Sequence, residues 1–398
     1  MIRKTALFSL LICFIAAPCA AFSQYSIQGI GEPSPDATAR QLGMGVLGIA
    51  CTAPFSLSQT NPALAADFNA TTFSATMFAA QWDMKDQSVR RTRKSALFPH
   101  IRLLIPLFLK LKVGVGLTQR TSVDYHAAQI FPYQGDDEAI YRSVTAVGGL
   151  YALRLTMAHQ PVKYVSLGLY SDLLFGSIEQ QWKTEFRNEF YDYKPILDKP
   201  TMHFKGADFT FGVHLRPHPY LSIGGVFRAG RDIDTKTKIH VNFQSDPVDT
   251  LESDMALPTM YGFGVSIHPQ DRLHFVADIQ VTEWQGFKIS DNPFPGAENS
   301  RRIGIGFEWE GDPRADNFLS RMPVRVGYSD EPWHIVDENG KRINGYFWSV
   351  GTSFDLFRKL GVLDAAITYG RRGSNNLRAI QEKVLQGTFT VYGFEKWF

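Results

Sequence analysis

Three glycines, Gly43, Gly45 and Gly48, with Asp67 about twenty residues on, reproduce the GxGxxG spacing of dinucleotide-binding loops. That chemistry needs a strand feeding a tight turn into a helix N-terminus, where backbone amides and the helix dipole meet a pyrophosphate. The residues ahead of Gly43, GEPSPDATARQL, hold two prolines among mostly polar side chains and make a poor buried strand, and APFSLSQTNPA follows where the helix should run. The glycines therefore read as packing residues rather than a nucleotide cradle.

Other reactive groupings are sparse. The ten histidines form no HExxH, and of three cysteines only Cys51 lies beyond the N-terminal leader, so no thiolate cluster, metal or cofactor is expected. No GxSxG elbow is present, and although distant strands can bring Ser, His and an acid together, the expectation is that the chain is not an enzyme. The charged and polar residues that stand out are Asp208, Arg228, Asp278, Gln280, Arg302, Arg325 and Asp364, each opposite a row of apolar ones. Arg228 and Arg325 are candidates to receive a carboxylate, and pairing with neighbouring acids explains either equally well.

Strands must position these residues. From Thr71 onward apolar residues recur with period two: Phe209, Phe211, Val213 and Leu215; Leu273, Phe275, Ala277, Ile279 and Val281; Ile303, Ile305, Phe307 and Trp309. Short turns at AHQPVK, LRPHPY, IHPQDR and FRKLG alternate with longer polar stretches, roughly 183–202, 242–256, 288–299, 332–344 and 374–383. Outer-membrane barrels segregate short turns and long loops to opposite ends, whereas a sandwich has no reason to. The expectation is an all-β fold, an antiparallel transmembrane β-barrel of about 14 strands over residues 70–398, its charges facing the lumen. An Arg or Lys facing lipid at midplane would cost about 2–4 kcal/mol.

The leader MIRKTALFSLLICFIAAPCAAFSQ has the layout of a cleaved secretory signal, residues 1–23, with cleavage after Ala21 or Ser23 and the latter favoured. Lipidation needs a branched aliphatic three places before the cysteine, and Cys19 is preceded by Ala16, Ala17 and Pro18, which argues against it. No run of 18 apolar residues follows, and a net charge of +2 with mean hydropathy −0.14 gives no case for nucleic acid and does not exclude a barrel. The chain ends GTFTVYGFEKWF, and a terminal Phe398 is similar to the signal by which barrels are recognised for insertion; an ordinary aromatic edge strand is the other reading.

The order ATARQLGMGVLGIACTAPFSLSQTNPALAA resembles the N-terminal signature of FadL-like outer-membrane transporters: an arginine, a glycine pair around methionine, small residues, then Asn61, Pro62 and Ala63. The usual aspartate-rich aromatic stretch is replaced by TAPFSLSQT. The resemblance implies that residues 24–69 form a lumenal plug in which Gly43, Gly45 and Gly48 leave room and Asn61, Pro62 and Ala63 make a rigid turn into the first strand. It also implies passive uptake of hydrophobic molecules, chiefly long-chain fatty acids, which dock on external loops and leave sideways through the wall after the plug moves. Phe186, Phe190, Tyr191 and Tyr193 are then candidates for a docking groove, or for an outer aromatic girdle. The expected partners are outer-membrane lipids, a hydrophobic ligand and the barrel-assembly machinery. The alternatives are a barrel similar to PorV that docks polypeptides in secretion, and a soluble periplasmic β-protein.

Overall fold

Alternate residues along a strand face opposite sides of a sheet, and here one side is apolar. The computed structural model describes residues 23–27, 29–51, 57–85, 90–132, 139–187, 194–242, 246–312, 314–337, 339–356, 361–373 and 380–395. Among them the wall strands are β1 (Thr71–Lys85), β2 (Arg90–Pro106), β3 (Leu111–Gln119 and Thr121–Pro132), β4 (Ala139–Val162), β5 (Val165–Arg187), β6 (Ile196–His218) and β7 (Leu221–Arg228 and Arg231–Val241). They continue as β8 (Asp249–Leu257 and Met260–Gln270), β9 (Leu273–Thr282), β10 (Ser300–Trp309), β11 (Val324–Asp330), β12 (Gly345–Leu356), β13 (Gly361–Arg372) and β14 (Gln381–Glu395). Each is antiparallel to its neighbours, and β14 pairs back onto β1 from Thr71↔Glu395 to Lys85↔Gln381, closing a 14-stranded barrel. Closure removes the free edges that an open sheet would leave.

The apolar rows point outward. Phe211 and Ile305 are more than half exposed, while Asp208, Thr210, Asp278 and Glu308 on the opposite faces are buried. Among the described residues no helix is long and apolar enough to cross a membrane.

The wall is uneven. β4, β5 and β6 run 24, 23 and 23 residues, against 10, 10 and 7 for β9, β10 and β11. This corrects the polar stretches at 183–202 and 242–256, which are largely strand: β5 continues to Arg187, β6 begins at Ile196, and β8 starts at Asp249. Polar residues predominate on both faces there, as in the Lys199–Glu179 ion pair at 2.9 Å, so the ladder persists after the regular hydrophobic alternation has gone. A second departure is the β10–β11 connection, which is long although it lies at the short-turn end, and carries the helix α2 (Phe318–Arg321).

The N-terminal segment lies inside the barrel. Its helix α1 (Ala39–Gly43) packs against β11 to β14, and a 3-10 turn over Pro62–Asp67 packs against β4, β5 and β6 on the other side. Asn61 caps that turn by accepting the Ala63 N–H at 3.0 Å, so Asn61, Pro62 and Ala63 start a capped helical turn that delivers the chain to Thr71.

Candidate functional site

The interior is built on fastenings between the N-terminal segment and inward-facing charges. On β4, Arg154 holds Asp172 of β5 through two hydrogen bonds of 2.8 Å and donates a third, also 2.8 Å, to the Gln59 carbonyl. Tyr170 donates to the Ser58 carbonyl at 2.9 Å, with the guanidinium groups of Arg102 and Arg154 4.6 and 4.5 Å from its ring. On the facing wall Asp278 accepts the Leu47 and Gly48 N–H groups at 2.8 Å each. Arg40 of α1 meets Glu308 at 2.6 Å, and Glu308 also receives Arg325 at 3.1 Å. Arg325 further bonds Asp364 and Ser353. Charges removed from water in this way are stabilised only when fully partnered, and here they partner backbone groups of the segment as well as each other.

Backbone approach explains the glycines. Gly45 adopts φ +68, and a Cβ there would lie 2.7 Å from the Tyr328 backbone nitrogen. The wall answers with glycines of its own: a Cβ on Gly327 or Gly306 would come within 2.2 Å of Met44 backbone atoms. Gly43 faces Gly351 in the same manner, and Gly48 sits at φ +77 against Gln41. The wall glycines were missed in the sequence, where the IGIGF pattern that marks Gly304 and Gly306 on the inward face passed as ordinary strand.

Above the segment lies a cavity of about 270 Å³. Leu42 and Leu47 line it from the segment, Phe78 and Trp82 from β1, and Trp284, Trp333 and His334 from the loops that follow β9 and β11. His334 stacks on Trp284 with ring centres 4.2 Å apart, and the Arg372 guanidinium sits 4.4 Å from the Trp333 ring. Arg228, Gln280 and Arg302 reach this cavity, as does Asp208, which lies between Arg120 at 3.1 Å and Arg228 at 3.5 Å. Arg302 is paired with Glu331 at 2.8 Å. Asp278, Arg325 and Asp364 are instead committed below, in the fastenings. Of the two arginines considered for a carboxylate, Arg325 is saturated, whereas Arg228 meets one carboxylate among the described ion pairs.

The cavity meets a gap in the ladder. Among the described residues, β2 from Arg90 to Leu97 pairs only with β1, and β3 from Val123 to Pro132 pairs only with β4. The gap follows from the break at Arg120, whose N–H bonds the Leu150 carbonyl at 2.8 Å and whose carbonyl accepts Ser34 N–H at 2.9 Å. A two-residue strand of the segment, Glu32–Pro33, pairs with Thr121 and Ser122 and holds the upper part of β3 away from β2. Gly148, Gly149 and Gly176 beside it have φ of +128, +156 and +139, values an L side chain rarely takes. Gly148 and Gly149 thus shape the wall, while Gly114 and Gly116 are close strand contacts without unusual φ. Ser95 and Leu97 on one lip and Thr121 and Ser122 on the other line the cavity, and Arg93 reaches across, donating to the His126 carbonyl at 2.5 Å.

One grouping was unforeseen. Ser266 Oγ lies 2.5 Å from His274 Nε2, and His274 Nδ1 lies 3.6 Å from Glu308, an order that resembles a hydrolase triad assembled from β8, β9 and β10. Ser266 is fully buried and Glu308 is committed to two arginines, so the grouping acts as a support for the Arg40 fastening. Of the loop candidates, Phe186 stands exposed near the upper end of β5; Phe190, Tyr191, Tyr193 and the terminal Phe398 lie outside the described residues.

The family model described as BamG matches residues 1–398. The chain belongs to the BamG family. No curated protein matches it. Solved structures do resemble this BamG-family chain: the toluene transporter TodX of Pseudomonas putida, at TM-score 0.63 and 12% identity over 92% of this chain and 100% of that one, and the toluene transporter TbuX of Ralstonia pickettii, at 0.61 and 13% over 90% and 98%. A FadL homologue of Pseudomonas aeruginosa aligns at 0.61 and 12% over 92% and 100%. At such identities the likeness is one of fold, and it meets the FadL-like architecture expected from the N-terminal signature.

Proposed function

We propose that this BamG-family barrel spans the outer membrane and passes a hydrophobic small molecule passively from its upper cavity into the membrane plane through the β2–β3 seam. The N-terminal segment is the plug that closes the lumen below. The observation that carries this reading is that one cavity touches both lips of the long gap between β2 and β3. Toluene transport by the structural neighbours TodX and TbuX supports it. A cavity of about 270 Å³ holds a compact hydrocarbon whole, although it falls just below the roughly 300–1,000 Å³ typical of ligand pockets. A long-chain fatty acid would fit only with its chain lying out through the seam and its carboxylate toward Arg228. In this reading residues 1–23 direct export, the barrel-assembly machinery inserts the chain with Phe398 as its signal, and no cofactor takes part.

The seam also changes the expected role of the plug. Moving it would break several buried charge contacts, each worth about 3–5 kcal/mol when one partner is left alone, whereas sideways exit leaves them in place. The test is uptake of labelled toluene and oleate by cells carrying two cross-linked forms, both with Cys51→Ala. Bridging Arg93→Cys to His126→Cys with a bismaleimide should stop uptake, and a Gly43→Cys to Gly351→Cys disulfide that pins the plug should leave it intact. The reverse result would sink the seam and restore plug movement.

The tall wall favours a second reading, polypeptide docking. Strands of 23 and 24 residues exceed by about twofold the 9–11 that a bilayer requires, and the upper part of β3 offers a free edge. A polypeptide that co-purifies in fixed ratio, with no small molecule enriched, would make this the better account.

A further inference from the structure

Register places a cationic belt on the outward face of the barrel across β13, β14, β1 and β2. Arg371 of β13 lies directly opposite Lys383 of β14, and Lys383 opposite Asp83 of β1; one step higher, Lys85 of β1 lies opposite Arg90 of β2. Lys94 of β2 is opposite Gln81, one step below Asp83 on the same face. All five cations are exposed, and among the described residues only Arg90 has a carboxylate within 4 Å, Asp83 at 3.9 Å. Asp83 is itself engaged by the Thr92 hydroxyl at 2.6 Å.

Like charges directly opposite on neighbouring strands destabilise a sheet, and this face carries two such pairs, Arg371 with Lys383 and Lys85 with Arg90. An anion lying over them would offset that repulsion. The rows below say which anion. Beneath Arg371 and Lys383 come Tyr369 and Leu385, with Trp348 beside Tyr369, then Ile367 and Val350, all outward and exposed apart from intervening small residues. An aromatic row above an apolar band is the profile of a membrane interface, so the cations stand at headgroup height. The belt lies at the end of the barrel away from Thr71 and Glu395, the end with the long loops, which faces the outer leaflet. From β13 to β2 it crosses three strand spacings, about 14 Å, which accommodates more than one phosphate.

We infer that this belt binds a lipid of the outer leaflet carrying more than one phosphate on a sugar headgroup, its acyl chains lying against Leu385, Ile367 and Phe389. The inference rests on the membrane placement proposed above. Full-length protein would be inserted in phosphatidylcholine vesicles, purified, and mixed with bisphosphoryl lipid A, phosphatidylcholine or inorganic phosphate for native mass spectrometry. The belt variant Arg371→Gln/Lys383→Gln/Lys85→Gln would be compared with Lys163→Gln/Lys199→Gln/Lys236→Gln, which lies outside the belt. An unchanged heat-sensitive gel shift verifies that each variant is folded.

The wild type and the outside variant should hold bisphosphoryl lipid A alike, and the belt variant should hold it about 100-fold more weakly, about fivefold for each cation lost near a charged surface. Equal binding by the belt variant overturns the site. Displacement of the lipid by inorganic phosphate at matched concentration would mean a free-anion site and also overturns it. A wild type that does not enter vesicles overturns the membrane placement itself, an outcome distinct from insertion without lipid preference.

Discussion

The tall wall, β3 to β8, and the short wall, β9 to β14, hold the same N-terminal segment with charged groups of opposite sense. On the tall side the charged wall group donates: Arg154 clasps Asp172 and gives a further hydrogen bond to the Gln59 carbonyl, and Tyr170 donates beside it to the Ser58 carbonyl. On the short side the charged wall groups accept: Asp278 takes the Leu47 and Gly48 N–H groups, and Glu308 takes Arg40. Close backbone approach is common to both, at Gly168 against Ala63 and Gly224 against Ile49 on the tall side and at Gly306 and Gly327 against Met44 on the short side. The ladder breaks at Arg120, where a strand of the segment pairs with Thr121 and Ser122 in place of β2, and stays continuous from β12 through β14 to β1. Of the two devices, a buried ion pair that loses one partner should cost more than a glycine contact that is crowded.

If that division is right, Arg154→Met should have the largest effect. It leaves buried Asp172 with only its Arg120 contact at 3.2 Å in place of a bidentate partner, and a cost toward the lower end of about 3–5 kcal/mol is expected, read as a lower urea midpoint of the folded barrel. Pairing it with Asp172→Asn should recover part of the loss, because the under-partnered carboxylate is then gone and Arg120 keeps Asp208. Gly327→Val probes the other wall. Its Cβ would meet Met44 backbone at 2.0 Å, so overpacking of about 1–3 kcal/mol is expected, together with faster proteolysis of residues 24–69. A Gly327→Val cost above that of Arg154→Met would reverse the comparison. Gly149→Ala tests the break itself: at φ +156, with a Cβ 2.3 Å from the Thr121 carbonyl, it should cost about 1–3 kcal/mol and change the yield of the Arg93→Cys to His126→Cys cross-link.

Sequence carried the parts of this fold in which one face of a strand is apolar. Phe209 to Leu215 and Ile303 to Trp309 gave period, inside and outside at once, and with them the inward placement of Asp208 and Arg302. It failed where that contrast vanishes. Lys199, Thr201 and Lys236 are in paired strands, yet nothing in a run of polar residues separates a ladder standing in water from a loop. Partners were also hidden: Asp278 reads as a lumenal charge, but that it binds the Leu47 and Gly48 amides depends on a contact across some 230 residues. The seam was the least legible element, since it arises from pairings that β2 and β3 do not make.

The upper tall wall makes the smallest and last test. Lys199 and Glu179 are bonded at 2.9 Å on adjacent strands, each about 40% exposed. In so open a setting water screens both charges and ordering two long side chains offsets much of the attraction, so Lys199→Ala should cost only about 0.2–1 kcal/mol. Added salt should shrink even that difference. The backbone ladder, which pairs Lys199 with His240 and Asp198 with Val241, is what keeps these strands together above the level of the N-terminal segment. Replacing Pro200 could not deepen the loss, because proline gives the ladder no N–H; placing a proline at Thr237 should, since a donor in the middle of three paired strands would disappear. A Lys199→Ala cost comparable to that of Thr237→Pro, measured on the same gel-shift melting curve, would show that side-chain charge and not the ladder sustains the tall wall.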